Sequence, residues 1–174
     1  MSSPDTPGHD QDPAERIAAI LVDHHLMSLA TLRADGWPQV TIVNYLADGL
    51  ALYFLVARDS QKLANIVRDP RVSIAIGGEA DGVARGLSMA AVVDEVPAGK
   101  HIEALNRRIQ MHAKTEPFTP HPASVDVAVL RATPRVISVI DYHDTSARSR
   151  LYTVSQEWRL NPAAAVPHDP TTTR

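Results

Sequence analysis

The chain contains no cysteine, which excludes disulfides, thiolate nucleophiles, thiolate-bound zinc and cysteine-ligated iron–sulfur clusters at once. No apolar run approaches the ~20 residues that a membrane-spanning helix needs. The opening stretch MSSPDTPGHDQDPAER is polar, rich in proline and acid, and lacks the apolar middle of a signal peptide. The expectation is a cytoplasmic protein with no membrane partner. There is no excess of positive charge: the formal net charge is −3, which argues against a general nucleic-acid binder while leaving room for a local basic patch.

Familiar catalytic signatures are missing too. No G-x-G-x-x-G sits between a strand and a helix, and there is no Walker A motif. Gly77, Gly78, Gly82 and Gly86 lie between two apolar runs and read as a loop. The eight histidines show no H-x-x-x-H or H-E-x-x-H spacing. His24 and His25 are adjacent and point different ways, and His101 and His112 are ~16 Å apart along a helix. No metal site is expected, short of one assembled from separate loops. "GLSMA" (Gly86 to Ala90) nearly matches G-x-S-x-G. The nucleophile elbow needs a helix after its serine, whereas here "MAAVVDEV" continues as a strand.

What is present is an ordinary globular composition, 44% hydrophobic and 21% charged over 174 residues. That length suits one domain with a real core. The expected domain spans residues 12–160, between a flexible segment 1–11 and a flexible tail 161–174. A first helix is capped by Asp12, with Pro13 at its first position, Glu15 in a capping-box-like place and Ile17, Ile20 and Leu21 on one face. It ends near His24 or His25.

Short strands follow: Leu26 to Arg33, Trp37 to Leu46 and Leu50 to Ala57, joined by two "ADG" turns and read as an antiparallel meander. A helix over residues 60–69 has Ser60 as N-cap and Pro70 past its end. Strands are expected at Arg71 to Gly77 and at Leu87 to Val96, then a helix from Pro97 to about Ala113, a three-proline loop "TEPFTPHPAS", and one or two strands in Val125 to Tyr142 with Pro134 at a break or bulge. Strands dominate and no βα unit repeats. The expected fold is mainly β with helices, a closed or split antiparallel barrel.

The stretch "ARDSQKLANIVRDPRVSIAI" places Arg58 and Lys62 around a helix start. A helix N-terminus favours anions, so two cations there are mildly opposed. Two readings stand: solvated surface residues, or a phosphate site where free N–H groups, the Ser60 hydroxyl and the Lys62 ammonium meet an anion.

"SLATLRADGWPQVTIVNYLADGLALYF", then "SQKLANIVRDPRVSIAI" and "ARGLSMAAVVDEV", resembles the pyridoxamine 5′-phosphate oxidase-like superfamily of FMN-binding split barrels. The similarity covers about Leu26 to Val96, with a weaker echo at Pro134 to Tyr142. The resemblance implies that Thr41, Ile42, Val43, Asn44 and Tyr45 line the flavin ring. It places Leu55 and Val56 on the neighbouring strand, Ser60, Gln61 and Lys62 at the phosphate, and Arg85 at a further flavin contact. It implies a homodimer with flavin at the subunit interface. Vitamin B6 oxidases of this group carry arginine where this chain has Thr41, and the tail offers only Trp158 and Arg159 in place of their C-terminal pair. Vitamin B6 oxidation is therefore not expected.

The resulting expectation is an FMN-dependent oxidoreductase acting on a small molecule that the sequence does not name, with the flavin carrying the chemistry and no side-chain nucleophile required. The alternatives are a deazaflavin-dependent reductase and a non-catalytic flavin- or haem-binding storage or stress protein.

Overall fold

The computed structural model describes residues 12–80, 83–97, 103–105, 108, 111, 126–143 and 146–164. Helix α1 (Pro13–Asp23) begins where expected: the Asp12 carboxylate accepts the Ala14 N–H at 3.1 Å and Pro13 occupies the first turn. Ile17, Ile20 and Leu21 form its buried face. Its last turn leaves carbonyls without helical partners. The Ile20 carbonyl meets His24 Nδ1 at 3.1 Å, and the Leu21 carbonyl accepts the Tyr45 hydroxyl at 3.0 Å.

Strands β1 (Leu26–Leu32) and β2 (Pro38–Asn44) form an antiparallel hairpin in which Leu32 faces Pro38 and Leu26 faces Asn44. Gly36 supplies the positive φ of its turn. The second Asp-Gly turn joins β3 (Leu46–Asp48) to β4 (Ala51–Ala57). The expected three-strand meander does not form, because β4 pairs with β7 (Val127–His143) and not with β2. The reason lies at Tyr45. Its N–H donates to the His25 carbonyl at 3.0 Å and its buried side chain is bonded to α1. The chain therefore leaves the β1 ladder there and crosses to the opposite edge of the sheet.

Helix α2 (Gln61–Arg68) follows β4. Strands β5 (Arg71–Ala80) and β6 (Val83–Glu95) pair along their length. Three of the four glycines expected in a loop thus lie in paired strands, Gly77 facing Gly86 and Gly78 facing Arg85, while Gly82 lies outside the described residues. A Cβ at Gly77 would collide with the Arg85 carbonyl oxygen and sit 2.7 Å from the Gly86 Cα, so the two backbones approach too closely for a side chain. Strand β7 is continuous through Pro134, with a bulge: Ala90 faces Val136 and Ala91 faces Pro134, leaving Arg135 as the extra residue.

Strands β8 (Ser146–Val154) and β9 (Leu160–Ala163) complete the sheet. The Ser155 hydroxyl accepts the N–H groups of Glu157 and Arg159, both at 3.2 Å, and shapes the turn between them. Residues 161–163, expected in the tail, are thus paired with β8. Residues 103–105, 108 and 111 are helical, within the span expected from Pro97 to Ala113. The rest of that helix with His101 and His112, the three-proline loop, and residues 1–11 and 165–174 lie outside the described residues. No described helix is long and apolar enough to cross a membrane.

The strand order is β2-β1-β5-β6-β7-β4-β3, with β8 and β9 beyond β7. The end strands β2 and β3 are separated in sequence by Tyr45 alone, so the sheet must curl until its ends meet. No backbone pairing joins β2 to β4 among the described residues. The result is a split antiparallel barrel. Leu29, Phe54, Ile74, Met89, Leu130 and Ile137 fill its interior. A second cluster, Leu46, Ala51, Tyr53, Leu105 and Val129, covers the other face of β4. Strand β4 is therefore apolar on both sides, which its unbroken sequence ALYFLVA reflects.

Candidate functional site

The split lies between two unfinished strand edges. Among the described residues, strand β2 is paired only with β1. Strand β4 is paired with β7 on one side, and β3 covers its other side only as far as Tyr53. Among the described residues, 54–57 thus keep a free edge, and β2 and β4 approach one another without a ladder. Free edges present unpaired N–H and C=O groups. The seam starts at Tyr45 and runs to the start of α2.

At that start, the Ser60 hydroxyl donates to the Ala57 carbonyl at 2.7 Å and accepts the Leu63 N–H at 3.2 Å. The Ala64 N–H bonds to the Ser60 carbonyl. A helix gives its first N–H groups no internal acceptor, so those of Gln61 and Lys62 remain without one among the described residues. The Lys62 ammonium is half-buried and has no carboxylate partner among the described residues. Burial holds its pKa below the ordinary lysine value.

Arg58 behaves differently from the expectation that one anion explains both cations. Its guanidinium donates to Glu95 Oε1 at 2.6 Å and reaches Asp126 Oδ1 at 3.3 Å. These carboxylates hold its pKa above the usual arginine value, the Glu95 contact first. Arg58 ties the end of β4 to β6 and β7, and Lys62 alone is left for a ligand.

The other expected residues divide. Ile42 points outward and is 60% exposed, while Val43 and Val56 belong to the core. Leu55 packs on the second cluster. The Tyr45 hydroxyl serves α1, and burial raises its pKa well above the usual phenol. The Gln61 amide donates to Asn65 Oδ1 at 2.9 Å, which ties its side chain back to its own helix, while its backbone N–H faces the helix start. Arg85 is exposed on β6, three strands from β2 in the ladder, ~14 Å away. Within one chain it does not join the others.

Among the described residues, two buried side-chain atoms have no hydrogen-bond partner: Thr41 Oγ1 and Asn44 Oδ1. Both lie on β2, in the segment expected along a flavin ring. Buried polar atoms are nearly always paired, so such orphans point to a missing partner. Thr41 shares the inward face with Gln39 and Val43, and Asn44 shares the outward one with Ile42, so they serve opposite sides of the strand. A flavin offers both hydrogen-bond donors and acceptors on its ring and an anion at its tail. The outward Asn44 acceptor, the free edges and Lys62 fit that set.

Sequence reasoning gave no role to Asn65, the asparagine of the S-x-K-x-x-N step, which is 1% exposed and donates to Thr31 Oγ1 and Gln39 Oε1, both at 3.0 Å. The available signal was a polar residue on the buried face of a short helix, four positions after Gln61. Among the described residues, no cluster of three histidine or carboxylate side chains could hold a metal.

A sequence profile described as pyridoxamine 5′-phosphate oxidase matches residues 13–141. The chain belongs to the pyridoxamine 5′-phosphate oxidase family. Solved structures agree with the fold. A pyridoxamine 5′-phosphate oxidase-related, FMN-binding protein from Nostoc punctiforme is 17% identical, with 91% of this chain and 100% of that one covered at a TM-score of 0.62. An FAD-binding protein from Mesorhizobium loti is 18% identical over 75% and 95% of the two chains, TM-score 0.63. A heme-binding protein from Mycobacterium smegmatis is 20% identical over 82% and 59%, TM-score 0.62. No curated protein matches the chain. The family match spans α1 to β7, so it takes in both edges of the seam and the whole of α2.

Proposed function

We propose that the chain binds FMN at the seam and acts as a flavin-dependent oxidoreductase on a small molecule. The observation that carries this is Lys62: a half-buried ammonium that, among the described residues, has no carboxylate, beside two helix N–H groups without acceptors there. A phosphate satisfies all three, by charge-assisted bonds. The Asn44 carbonyl and the free edges of β2 and β4 serve the polar rim of the ring. Bound flavin supplies hydride or electron transfer, and the chain's own groups bind and orient it.

The outward face of β2 supports a second subunit as cover. Val40 and Ile42 on that face are 63% and 60% exposed. Beside Ile42, the same row across the sheet carries Ser28, Ala75, Ser88 and Ser138, small residues that allow close approach. The cytoplasm is the compartment that suits a cysteine-free flavoprotein with this sequence.

The heme-binding neighbour keeps a storage role as the competing reading. The purified protein should take up FMN with the absorbance of a bound flavin, and the bound flavin should be reduced by NAD(P)H and reoxidised by an acceptor over many cycles. Uptake of haem with no flavin binding would favour storage, and uptake of a deazaflavin instead of FMN would move the assignment to that cofactor.

A further inference from the structure

Asn65 sits on the buried face of α2 with Leu63 and Ile66. A leucine there would serve both the core and the helix better, because a buried amide costs free energy unless its polar groups are bonded. They are bonded. Nδ2 gives one hydrogen to Thr31 Oγ1 on β1 and one to Gln39 Oε1 on β2, and Oδ1 accepts from Gln61 Nε2 at the first residue of α2. One side chain thus links two strands to the helix start.

We infer that Asn65 is a positioning residue: it holds the N-terminus of α2, and Lys62 with it, at a fixed offset from the free edge of β2, and so sets the preference for a phosphorylated flavin over an unphosphorylated one. The inference rests on the FMN reading above. Apolar contacts such as those of Leu63 and Ile66 are non-directional and let a short helix slide or turn slightly. Hydrogen bonds weaken steeply with distance and angle, so the amide fixes the register. Gln61, which receives that restraint, immediately precedes Lys62. The phosphate end depends on this register, whereas the ring end depends on β2 itself.

The test compares FMN with riboflavin on the full chain, by flavin fluorescence titration, with thermal midpoints alongside. The Thr31→Val/Asn65→Leu double variant removes the donor and its buried acceptor together, so no buried hydroxyl is orphaned. Gln61→Ala cuts the link from the exposed side and spares the core. Lys62→Ala and the wild type complete the series. The double variant should lose about threefold to tenfold in FMN affinity, with riboflavin changed by less than about twofold. Gln61→Ala should act in the same direction, by about twofold to threefold.

Equal losses for both flavins mean a merely structural network and overturn the inference. A wild-type FMN-to-riboflavin ratio in both variants, with that ratio collapsed in Lys62→Ala, overturns it while leaving the FMN reading intact. A wild type that does not prefer FMN overturns both. If the double variant fails to fold, Gln61→Ala decides by the same criterion.

Discussion

Arg58 Nη2 lies 2.6 Å from Glu95 Oε1, and that contact decides which of the two cations beside α2 is free for a ligand. Arg58 is occupied by structure and Lys62 is not. Arg58→Gln should therefore lower the thermal midpoint slightly, as exposed ion pairs do. It should leave FMN affinity within about twofold, since a guanidinium already held by Glu95 and Asp126 is not offered to the phosphate. Titration of the variant checks this, and a large selective loss of FMN would restore Arg58 to the site.

Lys62 holds a charge where water is scarce. Its folded pKa lies below the ordinary 10.5 of lysine, because burial penalises the charged form. In the pH window just below 10.5 the unfolded chain binds more protons than the folded one, so this residue's contribution to stability rises with pH. Below the folded pKa its penalty is fully present. Lys62→Met keeps the stem and removes the charge. The flavin-free variant should melt about 2 °C higher at neutral pH, lose that advantage as pH approaches 10.5, and bind FMN more weakly. Melting curves across pH with and without FMN separate these effects.

Tyr45→Phe removes the hydroxyl that closes the end of α1 at the Leu21 carbonyl. A buried carbonyl left unpaired costs about 1–3 kcal/mol. Because burial raises the Tyr45 pKa, the hydroxyl stays a donor across the stable range. The variant should show this loss in chemical denaturation at all pH values from neutral to mildly alkaline, with the FMN-to-riboflavin ratio unchanged. A changed ratio would give Tyr45 a direct role at the phosphate.

The exposed face of β2 gives a fourth test. Sedimentation should show twice the 18.9 kDa chain mass. Ile42→Glu places a charge on that face and should give a monomer that has lost most of its flavin affinity while keeping its melting transition. A monomeric variant with wild-type flavin affinity would remove the second subunit from the site.

The legible parts of this molecule were the local ones. Ser60 and Pro70 delimit α2 within ten residues, and Asp12 and Pro13 start α1 the same way. Both Asp-Gly turns were readable from the positive φ that glycine accepts. The pairing of β4 was not, because it depends on Tyr45 being held by α1, a contact between residues 24 positions apart. The role of Arg58 was hidden for the same reason: its carboxylates come from 37 and 68 positions away. Ser60 and Gln61 were placed correctly at the helix start, but their side chains are taken by Ala57, Leu63 and Asn65, which only the folded geometry shows. The glycine-rich stretch read as a loop because glycine usually marks one, whereas here it lets two strands approach closely.

Lys62 is the phosphate contact on which flavin binding turns, and the decisive measurement is the affinity of Lys62→Ala for FMN and for riboflavin, titrated side by side. FMN should weaken by about tenfold to a hundredfold, the worth of one charge-assisted contact, while riboflavin changes by less than about twofold. An equal loss for both flavins, or no loss for either, would contradict the assignment and return Lys62 to an ordinary half-buried lysine.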